Sequence, residues 1–158
     1  MHKENEKLIK VIFLCHGNIC RSPMAEFILK KLVKEQGIED NFKIDSAATS
    51  REEIGNDIYP PAKKCLAEHN VPFEPHSARQ ITKQDVAYYD YVIAMEEYNI
   101  RNLSRMFGPS YRFKLLLDFT DCPRDISDPW YSGDFETAYS EIEEGCRAFL
   151  EKINGEPI

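Results

Sequence analysis

No stretch of this chain approaches the roughly 20 consecutive apolar residues that a membrane-spanning helix needs, so a membrane-embedded protein is not expected. Excess positive charge is also lacking: 20 Lys and Arg stand against 27 Asp and Glu, a formal net charge of −7. Such a surface repels phosphate backbones and anionic lipid, so neither nucleic acid nor membrane is expected as a partner. There is no internal repeat, low-complexity tract or linker-like stretch, and 158 residues suit one domain with a single core. Residues 1–6 form a polar extension that leads straight into an apolar run, without the pattern of a secretory signal. Five cysteines are an odd number with no secreted-style framework, which points to reduced thiols and a cytoplasmic setting. The apolar fraction of 42% is that of an ordinary globular chain, which argues against disorder.

What the chain does have is the octapeptide Cys15-His16-Gly17-Asn18-Ile19-Cys20-Arg21-Ser22. The apolar run Val11-Ile12-Phe13-Leu14 comes before it and a helix-like segment after it. A strand that stops at a thiol and turns into a helix N-terminus aims backbone N–H groups and the positive helix end at one point, which suits an oxyanion. Gly17 and Asn18 tolerate positive φ, so successive N–H groups can turn inward as an anion nest. Arg21 adds a rigid fork that binds two oxygens at once, which lysine cannot do. The anion this points to is a phosphate under attack by Cys15.

The rest of the chain alternates short apolar strands with amphipathic helices, which predicts a small α/β fold: a doubly wound four-stranded parallel sheet with helices on both faces. Strands are expected at 8–14, 42–47, 91–95 and 112–117. Helices are expected at 22–35, with Pro23 in its first turn and Gly37 past its end, near 61–69, after a Thr82 cap, at 96–107 and at 135–152. The last should turn Tyr139, Ile142, Cys146, Phe149 and Leu150 inward. Residues 118–133 read as a long loop rich in Asp and Pro. Cys15, Ser46 and Met95 then close successive strands, at the carboxyl ends where ligands of such sheets bind.

A thiolate is the reactive form of cysteine, and helix N-termini and cationic neighbours favour it. A structural, buried cysteine is the plainer reading inside an apolar run, but Cys15 stands at the end of its run. Ser22 is placed to donate to the sulfur, or simply to cap the helix. A phosphocysteine intermediate also needs a general acid for the leaving group, worth about 10²–10⁴-fold. Asp128, followed by Pro129, Trp130 and Tyr131, is a candidate whose loop is stiffened by proline and walled by two aromatic rings. Asp118, Asp121, Asp125 and Asp134 lie close by and compete for the role on spacing alone.

C-x5-R-S after an N-terminal strand, with Asp-Pro-aromatic near the C-terminus, resembles the low-molecular-weight protein tyrosine phosphatases. Further matches are Asp45-Ser46-Ala47, His76-Ser77-Ala78-Arg79-Gln80, Asp90 to Met95 and Cys146 to Leu150, so the resemblance covers nearly the whole chain. It implies a flavodoxin-like phosphatase that needs no metal or other cofactor and acts on phosphotyrosine proteins. Cys15 would be nucleophile, Arg21 the phosphate ligand and Asp128 the acid/base. His16, Gly17, Asn18, Ile19, Cys20 and Ser22 would form the substrate loop, with Trp130 and Tyr131 beside it. Ser46 and His76 would hold Asn18 in a left-handed conformation, and Cys20 would form a reversible disulfide with Cys15 that guards the thiol against further oxidation. Cys65 and Cys146 read as core packing. A tyrosine kinase is one partner the resemblance raises, and the chain is expected as a monomer or weak dimer.

Two positions depart from the family pattern. His16 stands where an apolar residue is usual, and its charge can change near neutral pH. Glu52, with Arg51 and Glu53 beside it, stands where the pocket loop often carries tryptophan. An acidic rim should weaken stacking on a phenyl ring and favour substrates with basic flanks. Three other readings compete. A thiol-dependent arsenate reductase needs two further cysteines in mid-chain, and residues 66–121 contain none. A protein-arginine phosphatase would resemble this loop but carry threonine in place of Ile19, whose larger side chain favours a flat ring over a guanidinium. A non-catalytic phosphotyrosine-binding module would not need Cys15, Arg21 and Asp128 together.

Overall fold

A computed structural model of the chain describes residues 8–155, so the expected polar extension at 1–6 lies outside the described residues. The order along the chain is β1 (Ile9–Cys15), α1 (Arg21–Glu35), β2 (Phe42–Ala48), α2 (Pro60–Glu68), α3 (Lys83–Tyr88), β3 (Tyr91–Ala94), α4 (Glu97–Phe107), β4 (Phe113–Leu115), α5 (Pro129–Ser132) and α6 (Phe135–Gly155). Four strands form one parallel sheet in the order β2-β1-β3-β4. Strand β1 pairs with β2 from Ile9 opposite Phe42 to Cys15 opposite Ala48, and with β3 from Val11 opposite Tyr91 to Leu14 opposite Ala94. The chain leaves β1 in one direction for β2 and returns on its other side for β3, so the strand order reverses at the carboxyl end of β1. Ligands of open parallel sheets bind at such a reversal, and Cys15 stands there.

Strand β1 is apolar throughout because it is buried on both faces. Val11, Phe13 and Cys15 point into a core shared with α1, α2 and α6. Ile12 and Leu14 point the other way, against Leu103 of α4 and with Val86 of α3 packed at the edge. This is the doubly wound arrangement expected, with helices on both faces. Helix α1 ends where Gly37 takes φ 71°, which lets the N–H of Ile38 reach back to the Val33 carbonyl at 3.0 Å. Helix α3 is closed by a reciprocal cap: Thr82 Oγ1 accepts from the Asp85 N–H at 3.1 Å, while Asp85 accepts from the Thr82 N–H at 2.8 Å. Aspartate thus completes the motif that glutamate more often fills.

Three expectations need correction. The fourth strand is only Phe113–Leu115, and Leu116–Phe119 turn into a 3-10 helix. The cause is Asp118, whose carboxylate accepts the Leu115 N–H at 3.1 Å and folds the chain back. Leu116 and Leu117 are fully buried all the same, so their apolarity marked the core and not the strand. Residues 118–133 are not all loop, because Asp128 caps the short helix α5 through the Trp130 N–H. Ser46 lies two residues inside β2 and does not close it.

Candidate active site

The loop between β1 and α1 is held from several sides. The Thr49 and Ser50 N–H groups donate to the Cys15 and His16 carbonyls at 3.0 and 3.1 Å, and the Tyr59 N–H donates to the Ile19 carbonyl at 2.8 Å. Asn18 is completely buried and left-handed, at φ 62°. That conformation costs an ordinary L-residue about 1–2 kcal/mol, and asparagine is among the few that adopt it routinely. Its partners explain why it stays. Asn18 Nδ2 donates to Ser46 Oγ at 3.0 Å and to Ser22 Oγ at 2.9 Å, and Oδ1 accepts from the Arg79 N–H at 3.2 Å. The Asn18 carbonyl accepts from His76 Nε2 at 2.7 Å.

Ser46 Oγ receives a proton from Asn18, so its own goes to Glu26 Oε1, 2.6 Å away. Ser22 Oγ also receives a proton from Asn18, and toward a thiolate at Cys15, which has no proton to give, it donates its own across 3.0 Å. The Asn18 N–H donates to the same sulfur at 3.2 Å. A charged sulfur at Cys15 therefore has two donors aimed at it.

Arg21 is the first residue of α1, and its guanidinium is buried. Nη1 donates to the Ile126 carbonyl at 2.8 Å, and Nη2 donates to Glu96 Oε2 at 2.5 Å. Burial works against its charge, but negative charge on Cys15 and the bond to Glu96 outweigh that, so its pKa lies above the ordinary arginine value. Asp128 Oδ2 lies 3.5 Å from Arg21 Nη2, while its Oδ1 accepts the Trp130 N–H at 3.0 Å. Cys15, Arg21 and Asp128, far apart in sequence, thus line one cleft of about 560 Å³.

The cleft mouth is acidic, with Glu52, Glu53, Glu96 and Asp128 all in its lining. His16 meets Glu52 there, Nε2 to Oε2 at 3.1 Å, and its ring lies 6.5 Å from that of Tyr98. The buried His16 Nδ1 has no hydrogen-bond partner among the described residues. Trp130 and Tyr131 were expected as apolar walls around Asp128. Both line the cleft, but Trp130 is 51% and Tyr131 86% exposed, so they form a rim. The reason is the position of α5 on the surface, where Trp130 leans on Tyr59 with ring centroids 4.8 Å apart.

Ile19 lines the cleft, and Cys20 packs with Ile19 and Ala78 behind it. Burial, then negative charge on Cys15 and Asp128, push the Cys20 thiol up to about 12. Both cysteines are free thiols. A Cβ at Gly17 would lie 3.1 Å from Glu53 Cγ, so any larger residue there would push the Glu53 side chain aside by a few tenths of an ångström.

Sequence reasoning missed four residues of this site. Glu96 orients Arg21, Asn99 fixes the start of α4 by accepting the Met95 and Glu96 N–H groups at 3.2 and 3.0 Å, Arg79 anchors Asn18, and Glu26 terminates the proton chain. Only Glu96 carried a usable signal, because it directly follows the third strand at the end where sites of this fold lie.

Comparison with known proteins agrees with this geometry. The pattern of the family described as low molecular weight phosphotyrosine protein phosphatase matches residues 10–157. The human protein of that name is 46% identical over 91% of this chain and 95% of its own length. The crystal structure of YfkJ from Bacillus subtilis superposes with a TM-score of 0.93 at 37% identity, covering 98% of this chain and 99% of that one. A Drosophila arginine phosphatase superposes with a TM-score of 0.85 at 32% identity, over 94% of this chain and all of its own. A thiol, a buried guanidinium and a carboxylate in one cleft, carried on this sheet, agree with what these relatives are: the chain is a protein-tyrosine phosphatase and belongs to the low-molecular-weight phosphotyrosine protein phosphatase family.

Proposed function

We propose that the chain hydrolyses protein phosphotyrosine in two steps through a phosphocysteine. Cys15 Sγ attacks phosphorus while the bond to the tyrosine oxygen breaks, and Asp128 gives that oxygen a proton. Asp128, now a carboxylate, takes a proton from water. The water oxygen bonds to phosphorus, the S–P bond breaks, and the electron pair returns to Cys15 as inorganic phosphate forms. Arg21 and the loop amides hold the phosphate oxygens throughout, so the charge that spreads over them is met by groups already in place. Ser22 and the Asn18 N–H hold the sulfur as an anion before the first step and after the second. Trp130, Tyr131 and His16 border the ring of the substrate.

The observation that carries this reading is the convergence of the three groups. Asp128 stands 3.5 Å from the guanidinium that would grip the phosphate, on the open side of the cleft whose floor is Cys15. Such a carboxylate is placed to reach a leaving oxygen, and an acid at that point is what an alkoxide or phenolate needs. The acidic mouth favours phosphotyrosine with basic neighbours, a tyrosine kinase among the substrates that could carry it. The free state of all five cysteines fits a reducing, cytoplasmic setting.

The test compares phosphotyrosine and phosphoarginine peptides, with Cys15→Ser and Asp128→Asn. Cys15→Ser should abolish turnover, and activity that survives it refutes the mechanism. Asp128→Asn should slow phenyl phosphate by about 10²–10⁴-fold and p-nitrophenyl phosphate far less, because the better leaving group needs less help. A kcat/KM higher for phosphoarginine would replace the substrate and keep the mechanism. Ile19, which narrows the cleft, favours the aromatic substrate.

A further inference from the structure

Helix α2 and the start of α6 bring together three groups that the phosphatase reaction does not use. Cys65 and His69 are four residues apart in sequence, so Cys65 on α2 and His69 at its C-terminal cap share one face. Glu136 in the first turn of α6 reaches across to both. Its Oε2 lies 3.5 Å from Cys65 Sγ and 3.1 Å from His69 Nε2, and its Oε1 lies 2.9 Å from the same nitrogen.

We propose that Cys65, His69 and Glu136 form a binding site for a thiophilic divalent cation, zinc or a metal of similar preference. The donor set is one sulfur, one imidazole nitrogen and one carboxylate oxygen, all within 4.8 Å of one another. Zinc holds such donors at about 2.3 Å for sulfur and about 2.0 Å for nitrogen and oxygen. At tetrahedral angles those lengths put sulfur and oxygen about 3.5 Å apart, and nitrogen and oxygen about 3.3 Å apart. The Cys65–Glu136 edge already has that length, and the His69–Glu136 edge is short by a few tenths of an ångström. The sulfur–nitrogen edge is no longer than 4.8 Å, and His69, only partly buried, can adjust it by turning. The fourth position faces the Phe135 carbonyl, 3.6 Å from the sulfur, or solvent.

Two features prepare the site. The His69 ring is stacked on Tyr139, with centroids 3.8 Å apart and planes 10° apart, a contact that fixes the ring plane and is kept when the imidazole turns within it. The chain carries a net charge of −7, which attracts cations. Burial, and then the nearby Glu136 charge, push the Cys65 thiol up to about 12, so it is protonated when the site is vacant. Binding forms the metal–sulfur bond and releases the thiol proton to solvent. A bound ion would tie α2 to α6 and so brace Phe135, which packs on Tyr59 and through it on Trp130 at the rim of the active site.

The test is titration with cobalt(II) in the Cys15→Ser background, which removes the catalytic thiol as a ligand. One equivalent should give a near-ultraviolet sulfur-to-cobalt charge-transfer band. The band should disappear on adding Cys65→Ser and on adding His69→Gln, and zinc should displace it. Glu136 is 63% exposed at its side chain, so Glu136→Gln leaves the core intact and, by removing a ligand, should weaken binding by more than the roughly 10–100-fold that loss of an outer-shell partner costs. Zinc at a hundred times its Kd should raise the Tm by about 5–10 °C in the same background. Absence of the band, or a band that survives loss of Cys65, refutes the site.

Discussion

Ser22→Ala tests the proton direction inferred in the loop between β1 and α1. The substitution removes one oxygen and breaks two bonds, the 2.9 Å bond from Asn18 and the 3.0 Å bond to Cys15 Sγ. Each loss has its own readout. Asn18 is fully buried and would be left with one amide hydrogen unpaired, which costs about 1–3 kcal/mol. For a chain of this size that lowers Tm by about 2–12 °C. A hydrogen bond to a charged partner is worth about 1.5–3 kcal/mol. In the proposed mechanism the sulfur is charged when it leaves phosphorus and uncharged in the phosphocysteine, so the loss falls on the second step and slows it by about 10- to 150-fold. Attack by Cys15 is affected much less, because the same bond stabilises the starting thiolate. The phosphoenzyme therefore accumulates. Mixing Ser22→Ala with p-nitrophenyl phosphate in a stopped-flow instrument should show a burst of nitrophenolate close to the enzyme concentration, followed by slow turnover. Unchanged kcat without a burst would refute the inferred direction of the Ser22 proton.

Three further outcomes follow from the same structure. Glu52→Trp should lower KM for aryl phosphates and reduce any preference for basic flanking residues, measured as kcat/KM on matched peptides; an unchanged ratio would remove the acidic rim from specificity. Gly145→Ala should destabilise the fold, although alanine is worth about 1 kcal/mol more than glycine in a helix. A Cβ there would lie 2.5 Å from Cγ of the fully buried Leu116, and overpacking of about 1–3 kcal/mol exceeds the helix gain. A Tm above that of the parent would contradict this. Burial opposes the charge of Asp85, but hydrogen bonds from Arg79 and Thr82 outweigh it and hold its carboxyl below the usual range. A folded value below the unfolded one gives stability that is present above the unfolded pKa and lost as pH falls through the folded one. Asp85→Asn should therefore lower Tm at neutral pH and leave a shallower acid limb below about pH 4.

Much of this protein was legible in the chain because the signals are local. A buried parallel strand must be apolar along its length, so Val11 to Leu14 announced β1, and Cys15 and Arg21 are near neighbours whose spacing alone suggested a phosphate loop. The boundaries of β4 were not legible, since buried leucines look alike in a strand and in a 3-10 turn, and it was the Asp118 side chain that decided between them. Asp128 could be separated from Asp118, Asp121, Asp125 and Asp134 only by resemblance, because spacing carries no information about which carboxylate folds over Arg21.

The sequence by itself determined the order of the strands and the longer helices, the thiol at the end of the first strand and the guanidinium that opens the first helix. These depend on residues within one turn of each other. Tertiary structure alone decided that Glu96 would grip that guanidinium, that the Arg79 N–H would hold the Asn18 side chain, and that Glu26 would accept the Ser46 proton. It also decided that Cys65, His69 and Glu136 would meet. A hydrogen bond or a coordination site requires atoms within a few ångströms, and for residues tens of positions apart only the folded sheet and its helices bring them there.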